Sequence, residues 1–396
     1  MQRRQFLSSL AMTVPALTCA GRLFAAPASA PRFLLVFLRG GYDCANVLVP
    51  YASDFYYESR PNIAIARPDT AAATGALRLD DSWSLTPALR DSIGTMYTNK
   101  QVAFVPFAGT DDLSRSHFET QDSIERGLPS TQHDFRDGFM ARLANVLGAR
   151  AAPIAFTDAL PLTFRGGGDV PNVSLRAVGK AAFDARQTQI LTDMYRGHHL
   201  HASVSDGLEL RQHLADEFAA EAQQANRGAI NARGFAAEAA RVAQLMREQY
   251  RLGFIDVGGW DTHVNQGAAQ GQLATNLDGL GRGLAAFADA LGPEWSNTVV
   301  AVVSEFGRTF RENGNKGTDH GHGSAYWLLG GAIGGGRIAG EQVKVNNSTL
   351  LQNRDFPVLN DYRDVLAGVF ARLWGLNGAQ VERVFPRAKP RDLHIV

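Results

Sequence analysis

The sequence predicts an α/β fold built on a mainly parallel central sheet with helices on both faces. Three observations carry that prediction. Short apolar runs alternate with helical patterns, the runs are apolar on both alternating faces, and each strong run passes at once into polar residues. Strands apolar on both faces belong under two layers of helices, where parallel strands are found.

Four runs are read as the principal strands: "RFLLVFLR" (32–39), "QVAFVPFAG" (101–109), "FIDVGG" (254–259) and "TVVAVVSEF" (298–306). "APIAFT" (152–157) and "AYWLLGGAI" (325–333) are weaker candidates. Apolar residues recur at helical spacing in 135–148, 273–292 and 361–376. The stretch 203–250 is rich in Ala, Glu, Gln and Arg, with Leu, Phe and Met at the same spacing. It predicts a helical insert or cap over 202–250. No linker, internal repeat or low-complexity run divides the chain, so residues 31–396 are expected to form a single domain.

Composition narrows the function classes. The 396 residues are 45% hydrophobic and 20% charged, as in an ordinary soluble globular protein. Acidic and basic residues balance at 39 each, so no global field points to nucleic acid. No window beyond the N-terminus approaches the roughly 18 apolar residues expected of a spanning helix, so no membrane span is expected.

The first 30 residues read as a separate object. Arg3-Arg4, followed by a mildly apolar stretch and the small-residue run Ala26-Pro27-Ala28, has the form of a twin-arginine signal peptide. It predicts handling by the twin-arginine export machinery, export in the folded state, and a periplasmic or extracellular location. Without that segment only Cys44 remains, so no intrachain disulfide is expected.

The polar residues after the strands suggest a site. Asp43 and Asn46 follow the first strand, and Asp111, Asp112, Ser114, Arg115, Ser116 and His117 the second. Asp261 and His263 follow the third; Glu305 and Arg308, then Asp319, His320 and His322, follow the fourth. Ligands of open α/β sheets bind outside the carboxyl ends of the strands, so these groups are placed on one rim. Carboxylates gathered there need a counter-charge, which a divalent cation supplies. A mixed oxygen and nitrogen donor set favours Zn or Mn over Ca or Mg, with one or two ions accommodated.

Each motif also has a plain structural reading. Asp261 and His263 can be a loop pair, Glu305 can pair with Arg308, and Ser116 with Glu119 forms a capping-box pattern. On the catalytic reading, Ser116 at a helix N-terminus near a cation is the nucleophile and Arg115 clamps the oxygens of an anion. No G-x-S-x-G elbow surrounds Ser116, which argues against a metal-independent serine hydrolase. His198, His199 and His201 read as a loop, and His213 and His394 as solvated side chains.

The blocks "LRGGYDCANVLVPY", "SRSHFETQD", "GGWDTHVNQ", "LDGLGRGLAAF", "VVSEFGRT" and "GTDHGHGS", in that order, resemble the secreted family catalogued as domain of unknown function 1501. That family is similar in turn to the alkaline-phosphatase-like group, which includes sulfatases and metal-dependent phosphomutases. The resemblance implies that Asp43 bridges metal and nucleophile and that Ser116 is the nucleophile. It further implies that Asp261 and His263 hold one metal, that Glu305 holds the other, and that His320 supplies the last imidazole, with His322 as second choice. Phosphatase-type members have Asp-His where this chain has Glu305-Phe306. Either His117 replaces the missing imidazole or a single metal binds. Cys44 stands where Gly is common, with no role assigned.

Together these readings predict an exported metal-dependent hydrolase of small anionic phosphate or sulfate esters. The alternative is a secreted, non-catalytic binding or assembly protein with a decayed metal site on the same fold.

Overall fold

The computed structural model describes residues 30–396 apart from 70–71, 158, 174, 176–192, 198 and 201–234. The expected signal peptide, most of the expected helical insert, and His198, His201 and His213 lie outside the described residues. Residues Pro31–Val396 form one compact unit. Its longer strands are β1 (Arg32–Leu38), β2 (Val102–Gly109), β3 (Pro153–Phe156), β4 (Leu252–Val257), β5 (Thr298–Ser304) and β6 (Ser324–Gly330). The main helices are α1 (His117–Arg126), α2 (Phe139–Leu147), α3 (Phe235–Glu248), α4 (Gln272–Leu291), α5 (Tyr362–Trp374) and α6 (Gly378–Val384).

The central sheet has eight strands, with the long ones in the order β2-β6-β5-β1-β4-β3. Short strands at Arg337–Ile338 and Asn360–Asp361 both pair with β2. β1 pairs in parallel with β4 and β5, and β3 in parallel with β4. β6 is antiparallel to both β5 and β2. The predicted α/β class with a mainly parallel sheet is therefore what the structure shows. β6 runs the other way because the chain leaves β5, loops through 305–323 without a helix, and returns beside the strand it left. A parallel return requires a crossover connection, and none intervenes here.

The period of two along β1 feeds two cores. Leu34, Val36 and Leu38 pack with Leu273, Leu277, Leu280, Leu284 and Phe287 of α4. Phe33, Leu35 and Phe37 pack on the other face with Phe139 and Leu143 of α2 and Leu366 and Phe370 of α5. Each such side chain, fully buried, contributes about 1.5–3 kcal/mol. Both faces are thus covered by helices, and the open surface of the sheet is its edges. The carboxyl ends of β1 to β5 share one edge, and β6 begins there.

Candidate metal centre

The loops on that edge are drawn together by close backbone approaches. Gly40, just past β1, has a φ of +125°, and a Cβ there would lie 2.7 Å from the amide nitrogen of Asp261. Its own N–H donates to Glu305 Oε1 at 2.8 Å. The loop after β5 folds back on the segment before β6: Thr309 N–H donates to Asp319 O at 2.9 Å and Gly321 N–H to Gly307 O at 2.9 Å. A Cβ on Gly307 would come within 2.0 Å of Gly323 O, so only glycine permits this pairing. Arg308 and His320 are partners in the resulting antiparallel bridge, which sets their side chains on one face.

Among the described residues, His117, Asp261 and His320 form a group whose donor atoms are close enough to share one metal ion. Asp261 lies at its centre. Its Oδ1 is 3.0 Å from His263 Nε2 and 3.4 Å from His320 Nε2, and its Oδ2 is 3.7 Å from His117 Nε2. The Nε2 atoms of His263 and His320 are 3.1 Å apart. Four donors around a metal at about 2.0–2.1 Å stand about 3.3–3.4 Å from one another in a tetrahedron. The observed separations scatter around that edge length.

The outer hydrogen bonds fix which nitrogen faces inward. His117 Nδ1 is 2.8 Å from Glu305 Oε1, His263 Nδ1 is 3.2 Å from Asp319 Oδ1, and His320 Nδ1 is 3.0 Å from the Arg115 carbonyl. Each partner is an acceptor, so each Nδ1 carries the proton and each Nε2 turns a lone pair toward Asp261. Carboxylates and carbonyls behind the ring are the usual orienting partners of metal-binding histidines. His117 Nε2 is buried and has no hydrogen-bond partner. Three converging lone pairs beside a carboxylate fit a divalent cation.

The electrostatics agree. The bond to Glu305 raises the pKa of His117 against the opposing effect of burial. Burial lowers that of His320, helped by the charges of His117 and Arg308. Burial alone would raise the Glu305 carboxyl, but hydrogen bonds from His117, Gln121 and Gly40 hold it below its ordinary value. Asp261 is also held low: burial opposes this, and Arg308 and His263 outweigh it.

The carboxylates expected as ligands divide between two layers. Asp261 is in the cluster. Glu305 and Asp319 stand behind His117 and His263 as orienting groups. Glu305 Oε1 also accepts from Gln121 Nε2 at 2.8 Å, and Asp319 Oδ1 from Asn313 Nδ2 at 2.9 Å. Asp43 lies deeper. It forms a two-pronged ion pair with Arg60, with Nη2 3.0 Å from Oδ1, and its Oδ2 accepts from Gln266 Nε2 at 2.6 Å. Arg60 reaches on to the carbonyls of Thr309 and Phe310, while Gln266 Oε1 accepts from Thr262 and Thr318. Asp43 therefore ties together the loops that carry Arg308, Asp261 and His320. Charge complementarity with a buried arginine already satisfies it.

Three further expectations meet a different geometry. Arg115 points away from the cluster: its guanidinium binds buried Asp355 at 2.7 and 2.9 Å. That pair holds the residue at a φ of +54°, which turns its carbonyl toward His320. His322 is buried outside the cluster and lines a cleft of about 540 Å³ with Thr110, Asp111 and Arg391. Burial pushes its pKa down to about 4. Cys44 packs in the core, its thiol pushed up to about 12 by burial and then by Asp43.

Ser116 is the N-cap of α1, with Oγ accepting from Glu119 N–H at 3.5 Å. Of its two readings, capping is the one with a contact in the structure. Ser116→Ala should cost about 1 kcal/mol of stability and leave turnover within a few-fold of wild type. A loss of several orders of magnitude, with a covalent phosphoseryl adduct in the wild type, would restore it as nucleophile.

Two residues that sequence reasoning placed only as auxiliaries stand at the centre. His117 opens α1 directly after the cap, and the recognisable signal was a histidine in a helix's first turn on the same rim as the others. Arg308 is wholly enclosed, with Nη1 2.8 Å from Asp261 Oδ1. The contact is close but misaligned, so none of its three nitrogens makes a hydrogen bond.

The family model described as "Protein of unknown function (DUF1501)" matches residues 30–385. The chain belongs to this family. The resemblance drawn from the six sequence blocks is thereby confirmed. No curated protein sequence matches the chain. Among solved structures it is similar to a protein in the alkaline phosphatase superfamily from Vibrio parahaemolyticus, at 12% identity and a TM-score of 0.38, covering 87% of this chain and 67% of that one. It is also similar to the soluble domain of lipooligosaccharide phosphoethanolamine transferase A from Neisseria meningitidis, at 12% identity and a TM-score of 0.33, covering 78% and 79%. A third is a 2-O GAG sulfatase, at 10% identity and a TM-score of 0.36, covering 92% and 76%. Identities and scores this low carry nothing about chemistry, which rests on the residues themselves. No helix among the described residues is long and apolar enough to cross a membrane.

Proposed function

We propose that this protein is an exported hydrolase of phosphate or sulfate esters that works with a single divalent metal ion. The observation that carries the reading is the convergence of three Nε2 lone pairs on Asp261, each ring locked by an acceptor at Nδ1. His117, His263, His320 and Asp261 would hold the ion, and zinc suits three imidazoles and a carboxylate. When bound, the ion supplies Lewis acidity toward an ester oxygen and toward water. One ion is favoured because Asp43 is matched by Arg60, Glu305 faces protein donors, and Phe306 offers no nitrogen.

The protein's own residues supply the rest. Glu305, Asp319 and the Arg115 carbonyl keep the three rings in one tautomer and orientation. Three neutral imidazoles with one carboxylate, beside the enclosed Arg308, leave the floor of the site positive, which fits an anionic ester. In the hydrolysis, water adds to phosphorus or sulfur, the bond to the ester oxygen breaks, and the leaving alcohol takes up a proton. Export is part of the proposal on the strength of the Arg3-Arg4 segment.

Elemental analysis of protein from the exporting compartment tests the centre, and aryl phosphate and sulfate esters test the reaction. One equivalent of metal per chain is expected, with turnover on at least one ester that is lost on chelation and restored by zinc. Metal-free protein with no turnover would favour the alternative, a non-catalytic secreted binding protein. Phe306 at an expected histidine position is the observation on that side.

A further inference from the structure

Arg308 is a buried cation without a settled counter-ion. Its side chain is fully enclosed, its donors make no aligned hydrogen bond, and its one close partner is Asp261. The other carboxylates that act on it are Asp43 and Asp319. Both are taken up elsewhere, Asp43 by Arg60 and Gln266, Asp319 by Asn313 and His263. Asp261 is itself contested, because it also lies within reach of three imidazole nitrogens. Enclosing a guanidinium with no committed partner is unfavourable. Such a group, aimed at the centre of a site, points to a ligand that completes it.

We propose that Arg308 binds a tetrahedral oxyanion and that its availability depends on the metal. In metal-free protein Asp261 neutralises Arg308. With a cation bound, Asp261 turns its charge to the metal and leaves the guanidinium fork for two oxygens of phosphate or sulfate. The planar fork suits paired oxygens of either anion. Asp261 cannot serve two cations fully, so metal and anion favour each other. By linkage each raises the affinity of the other by the same factor. The order of assembly is metal first, then anionic ester, and metal-free protein does not sequester substrate. This inference rests on the metal-centre reading and deepens it by naming the residue that receives the anion.

The test is the zinc affinity of the full chain, measured against a competing chelator at buffered free zinc, with and without inorganic phosphate. Wild type should bind zinc at least tenfold more tightly with saturating phosphate. Arg308→Met should abolish that enhancement, yet bind zinc at least as tightly as wild type without phosphate, because a competing cation has been removed. Arg308→Lys, which keeps the charge and loses the fork, should retain only part of the enhancement. A pure packing role predicts weaker zinc binding in Arg308→Met with the enhancement intact, and that pattern overturns the proposal. Equal zinc affinity with and without phosphate in the wild type also overturns it, whether or not the methionine variant folds. Failure of the wild type to bind zinc in either condition instead removes the metal centre itself.

Discussion

Replacing His117 by alanine should leave the fold intact and strip the protein of its metal. The ring presents a buried Nε2 with no protein partner, so its removal breaks no internal hydrogen bond on that side. What is lost is a direct donor to the ion. Glu305→Gln provides the scale. It keeps an acceptor for Gly40, Gln121 and His117 Nδ1 but removes the charge behind the ring. A change at such an orienting residue lowers metal affinity by about 10–100-fold, and the His117 variant should exceed it. Metal content after dialysis against a weak chelator reads both. A His117→Ala protein with the wild-type complement of metal would remove this residue from the centre.

The second large effect belongs to the Asp43–Arg60 pair and is one of stability. Both side chains are almost completely buried and meet through two oxygen–nitrogen contacts. Arg60→Met leaves the Asp43 carboxylate enclosed without its counter-charge, an effect of about 3–5 kcal/mol. The urea midpoint should fall by the corresponding amount with little change in slope. Lysine should not rescue it, because Arg60 also reaches two carbonyls with a planar fork that an ammonium lacks. The metal content of folded Arg60→Met should stay near wild type. Asp43→Asn sharpens the contrast: it should be destabilised by the stranded arginine and still hold metal. If it instead keeps its urea midpoint and releases the ion, Asp43 is a ligand, as the family resemblance implies.

These two results bear on the parts of the site that the sequence showed unequally. The strands were legible because their apolar runs are uninterrupted, and β1, β2, β4 and β5 lie within two residues of the predicted limits at either end. The rim was legible because polar residues follow those strands at once. Roles were less so. Asp43, Glu305 and Asp319 differ little in local context, yet the structure makes one a loop anchor and the other two supports behind imidazoles. The reason is the partner. Arg60 neutralises Asp43, and nothing in the intervening residues announces the contact. Gly40, His117 and Gln121 converge on Glu305 from two separate segments. Ser116 read equally well as cap or nucleophile because a helix N-terminus serves both uses, and the bond from Glu119 is the contact that distinguishes them here.

By itself the sequence determined the layered sheet, the edge on which the chemistry sits and the family to which the chain belongs. All three follow from local periodicity and from short ordered blocks, which need no knowledge of distant contacts. Only the tertiary structure decided which carboxylate faces a cation, that three rings present the same nitrogen, and that Arg308 is enclosed without a committed partner. Those outcomes depend on which charges meet across the folded chain, and charge pairing at a few ångströms is a property of space rather than of order along the sequence.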